Sequence, residues 1–481
     1  MLVFLLGIAM LIGGYYTYGK FVERILAPDD RTTPAVSHSD GVDFVVMPSW
    51  KNMLIQLLNI AGIGPVIGVI LGIKFGTCVF LIIPIGNVLG GAVHDFTSGM
   101  MSLRRNGENL PGMVRDTLGN TLYAIFSLFM VLLLLLVVAV FINIPANLVA
   151  AMLPCANGFW IAAAVIFVYY IIATLFPVDK IIGRFYPIFG GILMLSTLGL
   201  LIAILYYHSF INADLFTATP VLLDQFRHFR ELSPVIPVLF VTIACGIMSG
   251  FHATQSPIVA RTMSSEREAR ATYYGMMIAE GIIAMIWAAG GYIIYNLFPE
   301  TFNIGATDVM REIVNFFLGS WMGAFTIIGV VILAITSGDT AMRSLRLSLA
   351  EIIHLNQKSL ANRLVICVPL IAIICGLLWW SNQDAKSFAH LWNYFSWGNQ
   401  LLACFTLIAT SVWLWRQKKN GWITVLPGVF ITFICATYIL WTSPAHHGPH
   451  GFGLPLNLSY AIGVVAAIAW GAFAYWLGNR K

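Results

Sequence analysis

The sequence predicts an all-α polytopic membrane protein with about 13 transmembrane helices, including two inverted five-helix repeats. Three observations support this prediction. Of the 481 residues, 59% are hydrophobic and only 10% are charged, and the mean hydropathy is +0.85, whereas a soluble domain carries roughly 25% charged residues. Apolar segments of spanning length recur along the whole chain. Two of these segments are interrupted by glycine and proline, as in the substrate-binding helices of transporters.

A membrane-spanning helix needs about 20 predominantly apolar residues. On this scale the predicted helices cover residues 1–18, 50–73, 76–101, 117–142, 158–176, 186–207, 234–257, 271–297, 317–345, 363–380, 388–413, 421–441 and 456–477. The positive charges support this assignment, because 21 of the 26 Lys and Arg residues fall in loops on one side and five on the other. The positive-inside rule then places the N-terminus outside and the C-terminus in the cytoplasm.

The seventh predicted helix contains the stretch 246–257, which has two glycines, a proline, a histidine, a glutamine and three hydroxyl side chains. The second predicted helix is interrupted in the same way at 59–68. Poor helix propensity predicts that both helices are broken, with freed peptide groups facing a cavity. The candidate substrate-binding residues are Gly62, Gly64, Pro65, Gly250, Phe251, His252, Gln255, Ser256, Asn399 and Gln400.

The two broken helices are the second and the seventh, with four helices between them, so they run in opposite directions across the membrane. Helices 2–6 and 7–11 therefore form two units of opposite topology, the inverted-repeat arrangement of secondary transporters. The predicted organisation is an extra N-terminal helix and cytoplasmic loop (1–49), a first repeat (50–210), a second repeat (234–415) and two C-terminal helices (416–481).

Ionisable residues at membrane depth are costly and usually functional. Asp95 and Glu280 occupy corresponding positions in predicted helices 3 and 8. Each either couples transport to a proton or cation, or pairs with a nearby residue such as Arg104. His252 either binds an anionic substrate or a proton, or satisfies freed carbonyls. His94 is a further coupling candidate, but adjacent helical residues lie about 100° apart, so we expect it on a different helix face from Asp95 and not simply as its hydrogen-bond partner.

A second group of coupling candidates lies in predicted helix 9, and its members are Thr336, Ser337, Asp339 and Thr340. Hydroxyls and a carboxylate suit Na⁺, a hard cation. The alternative is an ion pair between Asp339 and Arg343, which lies four residues further along the helix. For Asn399 and Gln400, contact with the substrate pathway and hydrogen bonding between helices remain equal alternatives.

The sequence also argues against several classes of protein. It has no GxxxxGK[ST] motif, so ATP does not drive it directly. No nucleophile–base or metal-ligand set converges, so we expect neither an enzyme nor a cofactor other than a coupling proton or Na⁺. The histidines of the loop 446–450 have no second ligand cluster. Basic residues lie in short loops, so nucleic acid is not an expected partner, whereas the lipid bilayer is; the oligomeric state is open.

Several short segments together resemble the carbon starvation protein A (CstA) family. In order along the chain they are DRTTPA (30–35), DGVDF (40–44), AGIGP (61–65), GGAVHD (90–95), SLRRNG (102–107), SGFHATQSP (249–257) and NQ (399–400). The resemblance implies a bacterial inner-membrane transporter expressed when carbon is scarce, importing pyruvate with protons, or peptides. It also implies a leucine-transporter-like fold of the amino acid–polyamine–cation superfamily. This chain is shorter than the best-known members, and differs from them after Gly250-Phe251.

We therefore expect an ion-coupled secondary transporter, with protons as the coupling ion, for a small carboxylated nutrient such as pyruvate or for peptides. An ion channel is one alternative, since channels also need polar interruptions. A nutrient sensor on a transporter scaffold is the other, although the longest cytoplasmic loop is too short to form an output domain.

Overall fold

The computed structural model describes residues 1–152, 155, 157–176, 178–383, 385–446 and 448–480, without the side chains of 178–185, 385, 386 and 389. Throughout these residues the fold is helical, and the β-pairing within them is one isolated bridge between Met47 and Met263. The predictions that fall outside the description concern His447, Lys481 and the side chains of Lys180, Arg184 and Lys386.

The principal helices follow one another with short connections. They are α1 (Leu2–Tyr16), α2 (Tyr18–Leu26), α3 (Ser49–Ile60), α4 (Gly64–Phe75), α5 (Val79–Arg104), α6 (Leu110–Leu118), α7 (Asn120–Ala150), α8 (Gly158–Leu175), α9 (Val178–Tyr206), α10 (Pro220–Leu232), α11 (Val235–Thr242), α12 (Ala244–Ile247), α13 (His252–Ala260), α14 (Glu266–Leu297), α15 (Ala306–Ile352), α16 (Leu360–Ser381), α17 (Ala385–Arg416), α18 (Trp422–Trp441) and α19 (Leu456–Asn479).

Each of the predicted spanning segments coincides with one of these helices or bent pairs. In the described chain, 10 helices are long and apolar enough to cross a membrane, and the two bent pairs raise this number to 12. The remaining predicted segment is α17, a 32-residue helix with Asn399 and Gln400 in its middle. Helix ends were predicted less well: α15 begins at Ala306 rather than at 317, with a non-helical residue at Gly319.

Both predicted breaks are present. The halves α3 and α4 are bent by 54° at residues 61–63, and Val235–Thr242 meets Ala244–Ala260 at 71°. The second helix opens again between α12 and α13, where Met248 has the extended backbone angles φ −167° and ψ 121°. Broken helices expose peptide groups that only neighbouring protein or a polar cavity can satisfy inside a membrane.

The broken helices lie near the centre of the bundle, beside the buried helix α14. In its most apolar window 89% of the residues are buried, compared with 28% for Leu2–Leu26 and for Leu456–Asn479. The peripheral helices present apolar side chains outward, as a lipid-facing surface requires. Glu280 lies on α14 and is fully buried, so its carboxylate is surrounded by protein rather than by lipid.

Candidate substrate and ion-coupling site

The two breaks lie directly against each other. A Cβ added at Gly64 would overlap the Cβ of Cys245, so α4 approaches α12 at van der Waals distance without a side chain between them. At Gly62 an added Cβ would lie 2.9 Å from the ring of Phe141 and 3.1 Å from the hydroxyl of Ser337. Glycine is required here by close approach of the backbone, and the polar segments of both broken helices converge as a result.

Helix α17 supplies the hydrogen bonds that the second break needs. The amide of Gly250 donates to the carbonyl of Asn399 (3.1 Å), and the amide of Phe251 donates to the Asn399 side-chain oxygen (2.8 Å). Gln400 Nε2 donates to the Met248 carbonyl (3.3 Å). The sequence left two alternatives for Asn399 and Gln400, contact with the substrate pathway or hydrogen bonding between helices. The contacts observed for both residues are hydrogen bonds between helices. A Cβ at Gly250 would overlap the Asn399 carbonyl oxygen.

Next to this break, α5, α13 and α14 bring together four ionisable side chains, which we call the histidine–carboxylate chain: His94, Asp95, His252 and Glu280. His94 Nδ1 lies 2.8 Å from Asp95 Oδ1, and His252 Nδ1 lies 3.2 Å from Asp95 Oδ2. His252 Nε2 lies 4.0 Å from Glu280 Oε2. All four side chains are fully buried. The expectation that His94 is not a partner of Asp95 was wrong, because the side-chain torsions bring the two groups together despite their different helix faces.

The histidine–carboxylate chain has unused hydrogen-bonding capacity and no fixed counter-charge within the described residues. Both Glu280 oxygens, His252 Nε2 and His94 Nε2 lack a hydrogen-bond partner there. In the same part of the protein no Lys or Arg lies within 4.0 Å of Asp95 or Glu280. Arg104 pairs instead with Glu266 (2.7 Å), so the structural alternative of a pair with that arginine does not hold. The charges of the histidine–carboxylate chain must therefore be balanced by bound protons or by a bound ligand.

The residues that follow the break are also buried, and one of them has spare capacity. One end of the Gln255 amide donates to Thr254 (3.1 Å), whereas its oxygen has no partner among the described residues. The Ser256 hydroxyl is already engaged, since it donates to the His252 carbonyl (3.1 Å) and lies 3.2 Å from the Ser98 hydroxyl. Gln255 is therefore better placed than Ser256 to bind a polar ligand.

The remaining predicted site residues lie beside the break. The Phe251 ring makes edge contacts with Phe141 and with the His252 ring, at 5.7 Å and 4.9 Å between centroids. Pro65 begins the second half of the first broken helix and is fully buried. Phe251 thus lies between the histidine–carboxylate chain and helix α7.

A third buried carboxylate, Asp339, lies near the first break in what we call the tyrosine–aspartate network. Tyr169 donates to one Asp339 oxygen (2.7 Å), and Tyr186 lies 2.9 Å from the other. The Tyr186 hydroxyl is also 3.2 Å from Asn59 Oδ1 on α3. The alternative pairing of Asp339 with Arg343 is not observed, because Arg343 binds Asp43 (2.8 Å). Both oxygens of Asp339 are thus satisfied by neutral donors.

The three hydroxyl residues around Asp339 bind backbone carbonyls. Thr336 and Ser337 donate to the carbonyl of Leu58, at 3.0 Å and 3.2 Å, and so join α15 to the end of α3. Thr340 donates to Thr336 O (3.0 Å) within its own helix. Two hydroxyl oxygens and one carbonyl oxygen next to a helix break are ligands that suit Na⁺, although in this arrangement the hydroxyl protons point at the carbonyl.

Sequence reasoning missed a further buried carboxylate, Asp43, in the loop that the charge distribution predicts to be cytoplasmic. Arg343 donates to it at 2.8 Å, and Arg346 lies at 3.5 Å. Burial opposes ionisation of Asp43, but the charges of the two arginines outweigh burial and hold its pKa below the usual value. The backbone of the same segment pairs with Arg261 and Thr262 at the end of α13. Two arginines one turn apart in a buried helix were a signal that a carboxylate had to be near.

The partners of Asp339 gave no comparable signal. Tyr169 and Tyr186 lie in apolar stretches, where a tyrosine usually serves packing, and neither position forms a recognisable motif. Their contact with Asp339 depends on how α8 and α9 pack against α15, across sequence separations of 170 and 153 residues.

The fold and the central pair of broken helices define a class of protein, the multi-pass membrane proteins with the leucine-transporter-like fold. The crystal structure of MhsT in complex with L-phenylalanine superimposes with a TM-score of 0.58 at 13% identity, covering 89% of this chain and 99% of that chain. A mutant of the Eremococcus coleocola manganese transporter gives a TM-score of 0.54 at 16% identity, covering 91% of this chain and 98% of that chain. At these identities the similarity concerns the fold alone.

Within this class, the chain belongs to the carbon starvation protein CstA family, whose model matches residues 1–206, 149–295 and 298–438. An uncharacterized membrane protein of Haemophilus influenzae is 38% identical over an alignment 340 positions long, which covers 62% of this chain and 92% of the relative. The peptide transporter CstA of Escherichia coli is 25% identical, covering 89% of this chain and 78% of the relative. The pyruvate/proton symporter BtsT of the same species is 25% identical, covering 60% and 48%. The family and its named relatives are transporters, not enzymes.

Proposed function

We propose that this protein is a proton-coupled secondary transporter that imports a small carboxylated nutrient, pyruvate or a peptide, across the bacterial inner membrane. Its N-terminus lies outside and its C-terminus in the cytoplasm. The observation that carries the proposal is the histidine–carboxylate chain, in which two carboxylates and two imidazoles lie fully buried beside the second break. The names of the relatives, a peptide transporter and a pyruvate/proton symporter, support the same class.

The histidine–carboxylate chain suits proton coupling because its net charge depends on the protons bound to it. Two carboxylates in a low-dielectric interior repel each other, and only the imidazoles of His94 and His252 or a shared proton relieve that repulsion. A proton that enters from outside is held between Asp95, His252 and Glu280. Protonated His252, next to Phe251 and Gln255, then offers a positive charge to the substrate carboxylate. Release of substrate to the cytoplasm removes this anion and favours release of the proton on the same side.

Na⁺ coupling is the second candidate, and one observation favours it. The hydroxyls of Thr336 and Ser337 converge on the Leu58 carbonyl beside the first break, and Asp339 lies two residues further along. The proton proposal is stronger, because both Asp339 oxygens have tyrosine hydroxyl partners whereas neither Glu280 oxygen has a partner among the described residues.

We also propose that residues 50–210 and 234–415 form the two inverted repeats, and that they move relative to each other around the breaks. The opposite directions of the two broken helices support this division. Asp95 and Glu280 then belong to corresponding helices of the two repeats.

The direct test is uptake into proteoliposomes. Labelled pyruvate and, separately, a labelled dipeptide are offered under an imposed pH gradient and then under a Na⁺ gradient. Saturable accumulation with the pH gradient supports the proposal and identifies the substrate. Accumulation driven only by the Na⁺ gradient would indicate that the coupling ion is Na⁺ and that it binds beside the first break. Transport of neither substrate by folded protein favours the sensor, and current without saturation favours the channel.

Two variants separate coupling from folding. Asp95→Asn and Glu280→Gln are expected to lose accumulation driven by the pH gradient while retaining exchange of labelled for unlabelled substrate without a gradient. Asp308→Asn is the matched control, because this carboxylate is exposed and pairs with Arg311. If both site variants accumulate substrate normally, the histidine–carboxylate chain is not the coupling device.

A further inference from the structure

A separate cavity of about 320 Å³ opens toward the face that the distribution of Lys and Arg predicts to be extracytoplasmic. We call it the outer vestibule. Its walls come from the outer halves of both broken helices, from α17 and from the end of α18. The residues used below are Lys74 on α4, Thr242 on α11, and Asn393 and Ser396 on α17. This volume is at the lower end of the range for small-molecule sites.

The outer vestibule lies immediately above the second break. Helix α17 contributes Ser396 to the vestibule, and Asn399, which binds the broken backbone, is three residues further along. One helical turn is about 5.4 Å. Thr242 also lines the vestibule and is two residues before α12. A solute in the vestibule is therefore about one turn away from the break, and on its path from outside.

Lys74 gives this cavity an unbalanced positive charge. Within the described part of the chain, no Asp or Glu lines the vestibule. Nor does any described carboxylate lie within ion-pair distance of the Lys74 ammonium group, which is instead 5.2 Å from the ring centroid of Phe302 and 6.0 Å from that of Phe229. Ring faces stabilise a cation but accept its N–H donors weakly. A partly buried ammonium group of this kind attracts an anion.

Neutral polar groups complete the set that a carboxylate needs. Asn393 and Ser396 face the same cavity, and the described residues provide no hydrogen-bond partner for either side chain. With Lys74 they offer one charge and two neutral donors to the two oxygens of a carboxylate. The ammonium group of a zwitterionic peptide finds no counter-charge in the vestibule, since its described lining contains no acidic residue.

We propose that the outer vestibule is a second binding site, which captures small carboxylate anions through Lys74 before they reach the break. The proposal rests on the proposed function, in that the captured anion is the transported substrate. It also favours a monocarboxylate over a zwitterionic peptide as that substrate.

The test uses charged thiol reagents on the purified full-length protein, without any gradient. Cys155 and Cys375, which are exposed, are replaced by serine, and Ser396→Cys is introduced. The quantity measured is the rate at which an anionic reagent modifies this cysteine, divided by the rate for a cationic reagent of the same type. We expect this ratio to be higher when Lys74 is present than in Lys74→Gln. The ratio of the two rates should fall about 10-fold in Lys74→Gln and recover in Lys74→Arg. Pyruvate should slow the modification, and a dipeptide that is zwitterionic at neutral pH should not.

Arg311→Gln is the matched control, because it removes a cation from the same face that does not line the vestibule. A rate ratio unchanged by Lys74→Gln, or equal protection by pyruvate and dipeptide, overturns the proposal. If Ser396→Cys does not fold, Asn393→Cys serves as the probe. If the uptake experiments reject proton coupling, the labelling result still stands, because it measures modification rates and not transport. Conversely, proton-driven uptake with a normal KM in Lys74→Gln would reject the capture site alone.

Discussion

The two breaks each lie beside a fully buried carboxylate, yet the two carboxylates are in opposite conditions. At the first break, Asp339 accepts from two tyrosine hydroxyls at 2.7 and 2.9 Å. At the second break, neither oxygen of Glu280 has a hydrogen-bond partner among the described residues, and His252 lies 4.0 Å away. A satisfied carboxylate braces helices together, whereas an unsatisfied one is costly unless it gains a proton or a ligand. Burial alone therefore does not identify a coupling residue.

The largest expected effect is that of His252→Ala. In the described part of the chain, His252 is the one basic side chain that lies within 4.0 Å of both Asp95 and Glu280, so its removal divides the histidine–carboxylate chain. We expect proton-driven uptake to fall to the level of empty liposomes, while the amount of protein in the membrane stays normal. Uptake at the wild-type rate would show that His252 has no part in the mechanism. The buried carboxylates at the second break would then have no more claim to coupling than Asp339 at the first.

Asp43→Asn extends the comparison to a buried carboxylate that is balanced by fixed cations. Removing its charge leaves Arg343 and Arg346 buried without a counter-ion, which costs roughly 3–5 kcal/mol. Because its pKa is lowered in the folded protein, the stabilisation by Asp43 is present above about pH 4 and is lost as the pH falls through the folded-state pKa.

The measurement is thermal unfolding of both proteins in detergent across this pH range. The difference in Tm between wild type and Asp43→Asn should be large near neutral pH and should shrink below about pH 4. A difference in Tm that is constant with pH would contradict this account of the ion pair.

Asp339→Asn should act on stability and leave coupling intact. The amide keeps one acceptor but loses the charge-assisted bonds to Tyr169 and Tyr186, a cost of about 1.5–3 kcal/mol in the free energy of unfolding. Tyr169→Phe is the companion variant, and the effects of the two substitutions should be less than additive because the groups share a bond. If Asp339→Asn unfolds like the wild type but loses accumulation driven by an ion gradient, the first break is the coupling site.

The smallest expected effect distinguishes two neighbours after the second break. Gln255→Leu removes a side chain with an unpartnered end, and Ser256→Ala removes a hydroxyl that is already bonded. We expect KM for the transported substrate to rise about 10-fold, or 1.4 kcal/mol, for the first variant and to change much less for the second. A larger effect of Ser256→Ala would restore Ser256 as the substrate contact that its position in the sequence suggested.

Much of the fold was accessible from sequence, and so was the location of the candidate site. Both breaks and 13 spanning segments were predicted from hydropathy and from glycine and proline; the structure confirms the breaks and, among the described residues, 12 of those segments by length and hydropathy. The sequence singled out Asp95, His252 and Glu280 one by one, and the structure brings them together. The contact between His94 and Asp95 was wrongly excluded, because helix periodicity fixes the direction of Cβ and not the torsions beyond it.

The sequence by itself determined that the chain is helical, spans a membrane many times and is broken twice, because these properties follow from local hydrophobicity and from backbone groups that must be satisfied in lipid. Only the tertiary structure decided which buried charges are balanced. Asp43 and Arg343 are 300 residues apart, and Tyr169 reaches Asp339 across 170. Whether a buried carboxylate has a partner depends on the packing of helices that are distant in sequence, and no local pattern encodes that choice.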